Sequence, residues 1–440
     1  MEDSYVIVGG KPLKGEIKVS GAKNIALKVI IAALLFDGKV VLKNIPKIKD
    51  VEDLIELLVN IGALAKFVDT NIVEIDRNGI KTNKIDLLHA SKIRASYLLF
   101  APLLHLFQKA QIPNPGGCRL GARSIDRTIV GMKSLGVSLS YDSETGYYES
   151  SLEKKPEGNF KFTKPSHTGT ELMIMLAVFA GGTVIIENAA QEPEIDDLIK
   201  FLNEGGAKIS RNLSTITIEG VDSLKQTESF SISGDKIEGA TFATLAIATR
   251  GEVIISNLPK NYLFSFNEKL IKAGAGVEDL ADGQWRYFYK DMIGVDIETA
   301  PYPGFVTDWQ PLFAVLMTQA TGKSEIHERI FENRFSYVSE LRKLGAKIEF
   351  IEKNIENPND FYHFNYDSTK QYNQIIEVTG PQSLHGGVLE VSDLRAGATL
   401  AIAALIANGQ SYVKGVDHID RGYENFSEKV IKIGGDIKRI

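Results

Sequence analysis

The segment LRKLGAKIEF, residues 341–350, decides the fold of this chain because its pattern occurs six times. In each copy an amphipathic helix ends in glycine and a short strand follows. The copies are LLVNIGALAKF (57–67), MKSLGVSLSY (132–141), FLNEGGAKIS (201–210), LIKAGAGVEDL (270–280), LRKLGAKIEF (341–350) and VIKIGGDIKRI (430–440). Their spacing is about 70 residues and is longer before the last copy, whereas solenoid repeats span about 20–50 residues. The pattern therefore predicts six small α/β modules.

The glycine of each copy marks the end of its helix. A helix commonly closes on a residue in the left-handed conformation, which glycine adopts at little cost. We therefore predict a positive φ angle at six glycines, which are Gly62, Gly136, Gly206, Gly274, Gly345 and Gly434.

A second, more apolar helix precedes each copy. These helices are apolar on nearly every side, which is typical of buried helices; they lie in residues 22–38, 93–107, 167–182, 237–251, 306–322 and 394–409. The helices that end in glycine are amphipathic, and in residues 50–62 the apolar stripe has acids opposite it. Each module thus runs buried helix, strand, surface helix, strand and further strands. Three modules fit in each half of the chain, with a boundary expected near residues 222–230.

Composition and charge exclude several classes of protein. With 440 residues, 44% of them hydrophobic and 24% charged, the chain has the composition of a globular protein of two or three domains. No apolar run reaches the roughly 18 residues of a membrane span, and the acidic start MEDSYVIVGG does not resemble a signal peptide. One cysteine and seven scattered histidines offer neither a disulfide nor a metal site. A net charge of -6 disfavours nucleic acid. We expect a cytoplasmic protein without metal.

Three of the buried helices begin with a cation. Lys23 opens the first, Arg94 the second and Arg395 the sixth. A helix N-terminus is partly positive, so a cation there costs a few tenths of a kilocalorie per mole unless it shares an anion. Asp308 in the fifth helix follows the rule, with Thr307 as its candidate N-cap. A single such cation is ordinarily a solvated surface charge, but three at equivalent places favour a cleft for phosphate or carboxylate, built by both halves.

The single cysteine, Cys118, stands in PNPGGCRLGAR, residues 113–123. A lone cysteine is most often a small buried apolar side chain. Here the preceding proline and glycines favour an exposed, mobile loop, and Arg119 and Arg123 would lower the pKa of the thiol. The residues alone leave both interpretations open.

An ordered set of short motifs resembles the enolpyruvyl transferases, in the branch that acts on UDP-N-acetylglucosamine in peptidoglycan synthesis. The motifs are SGAKNIAL (20–27), PGGCRLGAR (115–123), ENAAQEPEI (187–195), FVTDWQ (305–310), FENRF (331–335), SDLRAGA (392–398) and HIDRGYE (418–424). The resemblance covers the whole chain. One departure from the usual family pattern is Ser124, where proline commonly follows the cysteine loop.

The resemblance implies a fold and a domain organisation. The family fold is a two-domain inside-out α/β barrel with six βαβαββ units, three per domain in pseudo-threefold sets, helices inside and sheets outside. One domain would comprise residues 22–234 and carry the cysteine loop. The other would be discontinuous, combining residues 1–21 with 235–440, and the active site would lie in the cleft between the two.

The resemblance also implies the reaction. The enolpyruvyl group of phosphoenolpyruvate would move to the 3-hydroxyl of UDP-N-acetylglucosamine with release of phosphate, by addition and then elimination. The two substrates would be the only partners, with no metal, organic cofactor, nucleic acid or membrane, and a monomer is favoured. The epoxide fosfomycin would alkylate the family's loop cysteine.

The catalytic and binding residues follow by matching motif positions. Cys118 would be the acid toward the methylene carbon, and Asp308 the base near the sugar hydroxyl. Lys23 and Arg395 complete the expected catalytic set. The residues expected to bind the substrates are Lys23, Asn24, Arg94, Arg123, His167, Thr168, Gly169, Glu238, Asp308, Ile330, Asp393 and Arg421. Of these, residues 167–169 would bind the uridine diphosphate through main-chain groups.

Two other functions stay open. The first is the sister enzyme 3-phosphoshikimate 1-carboxyvinyltransferase, which shares fold and reaction type, but the motifs SGAKN and GGC disfavour it. The second is a catalytically silent paralogue that binds a UDP-sugar. The presence of Cys118, Asp308 and Lys23 disfavours that function, because silent copies usually lose their reactive groups.

Overall fold

Helices and strands alternate along the chain. The computed structural model describes residues 3–116 and 125–440. Its strands are β1 (Ser4–Val8), β2 (Lys14–Lys18), β3 (Lys39–Lys43), β4 (Leu64–Asp69), β5 (Ile72–Asp76), β6 (Lys109–Pro113), β7 (Ser138–Asp142), β8 (Tyr147–Ser151), β9 (Asn159–Lys161), β10 (Thr183–Glu187), β11 (Lys208–Asn212), β12 (Thr215–Glu219), β13 (Phe230–Ser231), β14 (Glu252–Ser256), β15 (Gly276–Asp279), β16 (Trp285–Phe288), β17 (Ile297–Glu298), β18 (Gly322–His327), β19 (Lys347–Phe350), β20 (Ile375–Gly380), β21 (Val388–Glu390), β22 (Gln410–Lys414) and β23 (Asp436–Arg439). Its helices are α1 (Lys23–Ala32), α2 (Lys49–Asn60), α3 (Leu87–Lys92), α4 (Phe100–Phe107), α5 (Asp126–Ser134), α6 (His167–Ala177), α7 (Pro193–Glu204), α8 (Lys236–Ala248), α9 (Phe264–Lys272), α10 (Gln310–Met317), α11 (Tyr337–Lys343), α12 (Pro358–Phe361), α13 (Leu394–Ile406), α14 (Asp417–Asp420) and α15 (Phe426–Lys432). Short 3₁₀ segments lie at Ala33–Leu35, Arg77–Gly79, Arg94–Leu99, Lys260–Leu263 and Thr307–Trp309.

The sheets of the described residues repeat one strand order. A parallel pair is followed by two antiparallel pairings in the sheets ordered β13-β3-β5-β4, β9-β10-β12-β11, β2-β14-β16-β15, β17-β18-β20-β19 and β21-β22-β1-β23. The remaining sheet, β6-β8-β7, has the antiparallel pairings, and its parallel neighbour is a single bridge between Lys84 and Gln111. The six modules predicted from the repeat are therefore present.

The chain divides into two compact units. The central unit, named for its place in the sequence, contains the described residues from Gly21 to Ser233, and the terminal unit contains the chain up to Ser20 together with Gly234–Ile440. In the terminal unit β1 lies between β22 and β23, and β2 pairs in parallel with β14. The N-terminal strands thus complete two sheets of the C-terminal half. The domains expected at 22–234 and at 1–21 with 235–440, as independent folding units, stay a prediction.

The apolar helices form the interior of each unit. In the terminal unit α8, α10 and α13 each pack against the other two, and in the central unit the 3₁₀ segment Arg94–Leu99 contacts both α1 and α6. Every residue of α8 is buried. Side chains of the central strands alternate between buried and exposed, as in β10 and β22. Each sheet therefore covers helices with one face and meets solvent with the other, which confirms the expected order of helices inside and sheets outside.

The six glycines that end the surface helices adopt the predicted conformation. Their φ angles lie between 91° and 103° at Gly62, Gly136, Gly206, Gly274, Gly345 and Gly434. At Gly62 space is restricted as well, because a Cβ there would lie 2.3 Å from the carbonyl oxygen of Gly79. The prediction of left-handed helix ends is confirmed at every copy.

Candidate active site

Asp308 lies beside two buried arginines in the terminal unit. Arg334 Nη2 donates a hydrogen bond to Asp308 Oδ1 at 2.7 Å, and Arg395 Nε lies 3.3 Å from the same oxygen. The side chains of Arg334 and Arg395 are only 3% and 9% exposed, whereas that of Asp308 is 29% exposed. Both cations approach Oδ1, so neither of these pairs uses Oδ2. The cluster therefore contains a partly exposed carboxylate whose negative charge is neutralised by two buried arginines.

The two arginines keep this carboxyl group ionised. Burial would raise the pKa of Asp308, but attraction to Arg395 and Arg334 outweighs burial and holds the pKa well below its usual range. Burial would lower the pKa of Arg395. The negative charge of Asp308 outweighs the effect of burial, so the pKa of Arg395 is raised. At neutral pH Asp308 is therefore ionised and carries no proton to donate.

A chain of hydrogen bonds links Arg334 to Glu328 through Thr307. Its Nη1 donates to Thr307 Oγ1 at 2.6 Å, and that hydroxyl donates to Glu328 Oε2 at 2.7 Å. The other oxygen of Glu328 accepts from the amides of Ile330 at 2.8 Å and Phe331 at 3.1 Å. Ile330, a predicted substrate-binding residue, thus belongs by its main chain to the support of the Asp308 cluster.

An acidic N-cap offsets the cost of the cation Arg395 at the start of α13. Asp393 is the N-cap of α13, and its Oδ1 accepts from the amides of Arg395 at 2.9 Å and Ala396 at 3.1 Å. An acidic cap compensates a first-turn cation. The expected N-cap at Thr307 is wrong: Val306 occupies that place, and the Thr307 hydroxyl is donated to Glu328 instead.

Glu238 and Arg421 are the other predicted residues of this unit. Glu238 lies in the first turn of α8, where its carboxylate accepts from the amide of Ser20 at 3.0 Å and pairs with Lys429. Burial raises the pKa of Glu238 against the attraction of Lys429. Arg421 directly follows α14 and is half-buried. Their expected contacts with substrate stay predictions.

In the central unit Lys23 has a carboxylate partner. Lys23 is the first residue of α1, and its Nζ lies 2.6 Å from Asp50 Oδ2, with both side chains almost fully buried. This anion offsets the cost of a cation at the helix start. The expectation that the acids of α2 face away from the core is wrong for Asp50 and Asp53, which are buried beside Lys23 and Lys49. Asn24 follows Lys23 and is half-buried.

Arg94 opens a 3₁₀ segment rather than an α-helix. Its guanidinium lies 5.8 Å from the centre of the Tyr97 ring, and burial lowers its pKa.

Residues 167–169 form the first turn of α6, where the amide of Gly169 donates to Ser166 Oγ at 3.3 Å. A Cβ at Gly169 would lie 2.7 Å from that oxygen and 2.9 Å from Thr128 Oγ1, so a side chain there would displace one or both hydroxyls. Thr168 is half-buried.

His167 belongs to a second buried charge cluster. Its Nε2 lies 3.2 Å from Glu171 Oε1, and Lys28 Nζ lies 3.1 Å from Glu171 Oε2. The carboxylate has no solvent exposure. Burial would lower the pKa of His167, but the charges of Glu171 and Glu192 outweigh burial and raise it. His167 and Lys23 therefore pair with different carboxylates.

Cys118 and Arg123 lie outside the described residues, as does Arg119. Their roles as acid and anion ligand stay predictions. From the sequence, Arg334 was only a weak basic candidate, because it stands in the FENRF motif. Glu328, Asp50, Lys28 and Glu171 were not assigned to any site. The others are found only when the fold brings distant segments together.

Two kinds of feature are absent from the described residues. Across 3–116 and 125–440, no group of three or more His, Cys, Asp or Glu side chains is arranged to hold a metal ion. No helix in the same ranges combines the length and the apolar run needed to cross a membrane.

Comparisons with known proteins extend over the whole chain. The family model EPSP synthase (3-phosphoshikimate 1-carboxyvinyltransferase) matches residues 7–430. A protein of Desulfosudis oleivorans named UDP-N-acetylglucosamine 1-carboxyvinyltransferase is 38% identical over 100% of this chain and 99% of its own. A protein of Coxiella burnetii with the same name is 39% identical over 100% of this chain and 96% of its own.

Solved structures support the fold. The enolpyruvyl transferase NikO from Streptomyces tendae aligns with a TM-score of 0.84 at 22% identity, over 100% of this chain and 99% of its own. EPSP synthase from Acinetobacter baumannii aligns with a TM-score of 0.74 at 16% identity, over 100% of both chains. At these identities the likeness concerns the fold alone, and it confirms the predicted two-domain inside-out α/β fold.

Proposed function

The chain belongs to the EPSP synthase family of enolpyruvyl transferases, and from this premise we propose that it transfers the enolpyruvyl group of phosphoenolpyruvate to the 3-hydroxyl of UDP-N-acetylglucosamine. Phosphate is the second product. The full-length match to relatives named for this reaction supports the choice of acceptor. The observation that carries the chemistry is the Asp308 carboxylate, neutralised from behind at Oδ1 by two buried arginines and 29% exposed to solvent.

The reaction needs one proton donor and one proton acceptor in each step. In the addition, the 3-hydroxyl oxygen bonds to C2 of phosphoenolpyruvate, its proton goes to a base, and the methylene carbon gains a proton and becomes a methyl group. In the elimination, the methyl group gives up a proton, the bond from C2 to the phosphate oxygen breaks, and the double bond forms again. No electrons are lost or gained overall, and phosphate leaves.

Asp308 is the proposed base for the hydroxyl proton. Its pKa lies well below the usual range, so it is ionised when substrate arrives. An ionised carboxylate accepts a hydrogen bond from a hydroxyl and orients its oxygen for attack. Arg395 and Arg334 hold the carboxylate in place. Cys118 is the proposed acid toward the methylene carbon.

The basic residues are the proposed ligands of phosphoenolpyruvate. Lys23, Arg94, Arg123, Arg395 and Arg421 supply the positive charge that the phosphate and carboxylate require. Positive charge that develops at C2 during addition is balanced by the substrate's own carboxylate. We assign no metal or organic cofactor to the reaction.

The remaining predicted residues are proposed ligands of the sugar nucleotide. The first turn of α6, at residues 167–169, is a helix N-terminus, which suits a diphosphate. Asn24, Glu238, Ile330 and Asp393 are the proposed contacts of the sugar. We also propose that the protein acts in the cytoplasm, as a monomer, at the first committed step of peptidoglycan synthesis.

A phosphate-release assay tests the proposed function. The purified protein is mixed with phosphoenolpyruvate and either UDP-N-acetylglucosamine, shikimate 3-phosphate or no acceptor. We expect phosphate only with the UDP-sugar. Phosphate only with shikimate 3-phosphate would establish the sister activity, which the description of the matching family model favours. If none of the three mixtures releases phosphate and the protein nevertheless binds the UDP-sugar, it is a silent binding protein.

A further inference from the structure

One connection breaks the repeat of the sheets. In four other sheets the hairpin that corresponds to β19–β20 closes with residues 70–71, 143–146, 213–214 or 280–284. Between β19 and β20 the loop is residues 351–374, which we call the long connection. It accounts for the longer spacing before the last copy of the sequence repeat. Because the short loops suffice to join such strands, the extra length needs another explanation.

The long connection has a small core of its own. The rings of Tyr362 and Tyr366 are stacked, with centroids 5.8 Å apart and planes 12° apart. Tyr362 and Phe364 are buried, at 5% and 8% exposure. The Tyr372 hydroxyl accepts a hydrogen bond from the amide of Asp367 at 3.0 Å. The segment is therefore an ordered element that presents a defined surface.

That surface docks on residues 328–334, which we call the site loop. Arg329 donates to the carbonyl oxygen of Phe361 through Nε at 3.1 Å and Nη2 at 2.9 Å. Its guanidinium lies 3.9 Å from the centre of the Phe361 ring. The amide of His363 donates to the Arg329 carbonyl at 2.8 Å. Main chain and side chain of Arg329 are thus both fixed by the long connection.

A second attachment uses Gln374, the last residue of the long connection. Its Nε2 donates to the carbonyls of Glu328 at 2.7 Å and Phe331 at 3.0 Å, and its Oε1 accepts from the amide of Asn333 at 2.7 Å. Gln374 is 4% exposed, so water cannot replace these bonds cheaply. One side chain thereby fixes three main-chain positions of the site loop.

The site loop contains Glu328 and Arg334, which lie at the two ends of the hydrogen-bond chain that supports Asp308. Glu328 accepts from Thr307, Thr307 accepts from Arg334, and Arg334 donates to Asp308. We propose that the long connection is a positioning element for the reaction: Arg329 and Gln374 hold the site loop, and the site loop holds Arg334 on the reactive carboxylate. This inference rests on the proposed function for its kinetic consequence, but not for its structural one.

A shortened chain tests the proposal. In it, residues 353–373 are replaced by Asn-Gly, the residue pair that best closes two-residue hairpins, and the register of β19 and β20 is kept. We expect a folded protein, since the sister hairpins close with short loops. We expect kcat to fall about tenfold or more, because a small displacement of a supporting group is enough for such a loss, with a smaller change in KM for phosphoenolpyruvate. The amides of Ile330 and Phe331 should exchange with deuterium faster, and those of α8 should not.

Point variants cover the case in which the shortened chain fails to fold. Gln374→Ala and Arg329→Ala should each lower kcat and speed exchange in the site loop, and Arg329→Lys should restore part of kcat. Lys370→Ala, at an exposed position of the same connection, is the matched control and should match the wild type in both measurements.

The outcomes separate the two hypotheses. If the wild type releases no phosphate, the proposed function fails, and faster exchange in the site loop alone still supports the positioning role. If the wild type is active and every variant keeps its kcat and its exchange rates, the positioning role is overturned. A lower melting temperature with unchanged kcat and unchanged exchange would also overturn it, because the long connection would then stabilise only itself.

Discussion

Two carboxylates, one in each unit, lie between a pair of cations near the start of a buried helix. Asp308 in the terminal unit accepts a hydrogen bond from Arg334 at 2.7 Å and is 29% exposed. Glu171 in the central unit lies 3.1 Å from Lys28 Nζ and 3.2 Å from His167 Nε2, and it is fully buried. Within the described chain neither oxygen of Glu171 forms a hydrogen bond of good geometry.

We propose that the difference separates a reactive group, Asp308, from a structural one, Glu171. The planar guanidinium of arginine fixes the direction of its hydrogen bonds, so Asp308 is oriented as well as charged. Lysine and histidine hold Glu171 mainly by charge, and its carboxylate is not exposed to solvent. We therefore expect substitutions at the Asp308 cluster to reduce activity and substitutions at the Glu171 cluster to reduce stability.

The largest expected effect is that of Asp308→Asn. The amide cannot take the hydroxyl proton, so kcat should fall about 10³- to 10⁴-fold, as for loss of a general base. Phosphate release measures the change, and a melting curve checks that the variant folds. A variant that keeps more than a tenth of wild-type kcat would remove Asp308 from the role of base.

Glu171→Gln should act on stability instead. It leaves the buried Lys28 and the half-buried His167 without their anion, and loss of one partner costs about 3 kcal/mol in a buried pair. The measurement is the free energy of unfolding in urea, with kcat determined in parallel. Glu204→Gln, at the exposed end of α7, is the control. An unchanged unfolding free energy with a large loss of kcat would invert the comparison.

Arg334→Gln should reduce kcat about 30-fold, a loss typical of one directed hydrogen bond to a charged group. Arg334→Lys should recover part of it, because the charge remains while the fork geometry is lost. Equal activity of the glutamine and lysine variants would show that the positive charge at this position contributes nothing, contrary to our account.

The smallest expected effect is the pH dependence of the His167 pair. The pKa of His167 in the folded chain is raised above its usual 6.5. Protonated His167 therefore stabilises the fold fully below pH 6.5, and this contribution is lost as the pH rises through the folded-state pKa. The unfolding free energy of the wild type relative to His167→Gln should decrease over that rise. A difference that grows with pH would contradict the assignment.

Local features of this chain were predictable from sequence. The six glycines and the apolar helices follow from backbone conformation and from periodicity, which act within one turn of helix. The start of α13 near Arg395 was predicted for the same reason, but its N-cap at Asp393 was not. Partners that come from distant segments were not, as the pairs Lys23–Asp50 and Thr307–Glu328 show.

The candidate site divides in the same way. The motif around Asp308 identified a carboxylate, but its two arginines lie 26 and 87 positions away in sequence, and only the fold brings them together. The long connection gave one signal, the irregular spacing of the last repeat. Its attachment to the site loop through Gln374 has no signature in the sequence, since a single glutamine marks nothing by itself.

The pH dependence of kcat/KM, compared between the wild type and Arg334→Gln, tests the central claim most directly. Arg395 and Arg334 hold the pKa of Asp308 well below its usual range, so wild-type activity should show no loss from protonation of this base down to about pH 5. Without Arg334, less positive charge opposes the effect of burial, so the pKa of Asp308 rises. The acid limb of the variant's pH profile should therefore move to higher pH. Identical acid limbs in the two proteins would contradict the claim that a carboxylate kept ionised by its arginines performs the reaction.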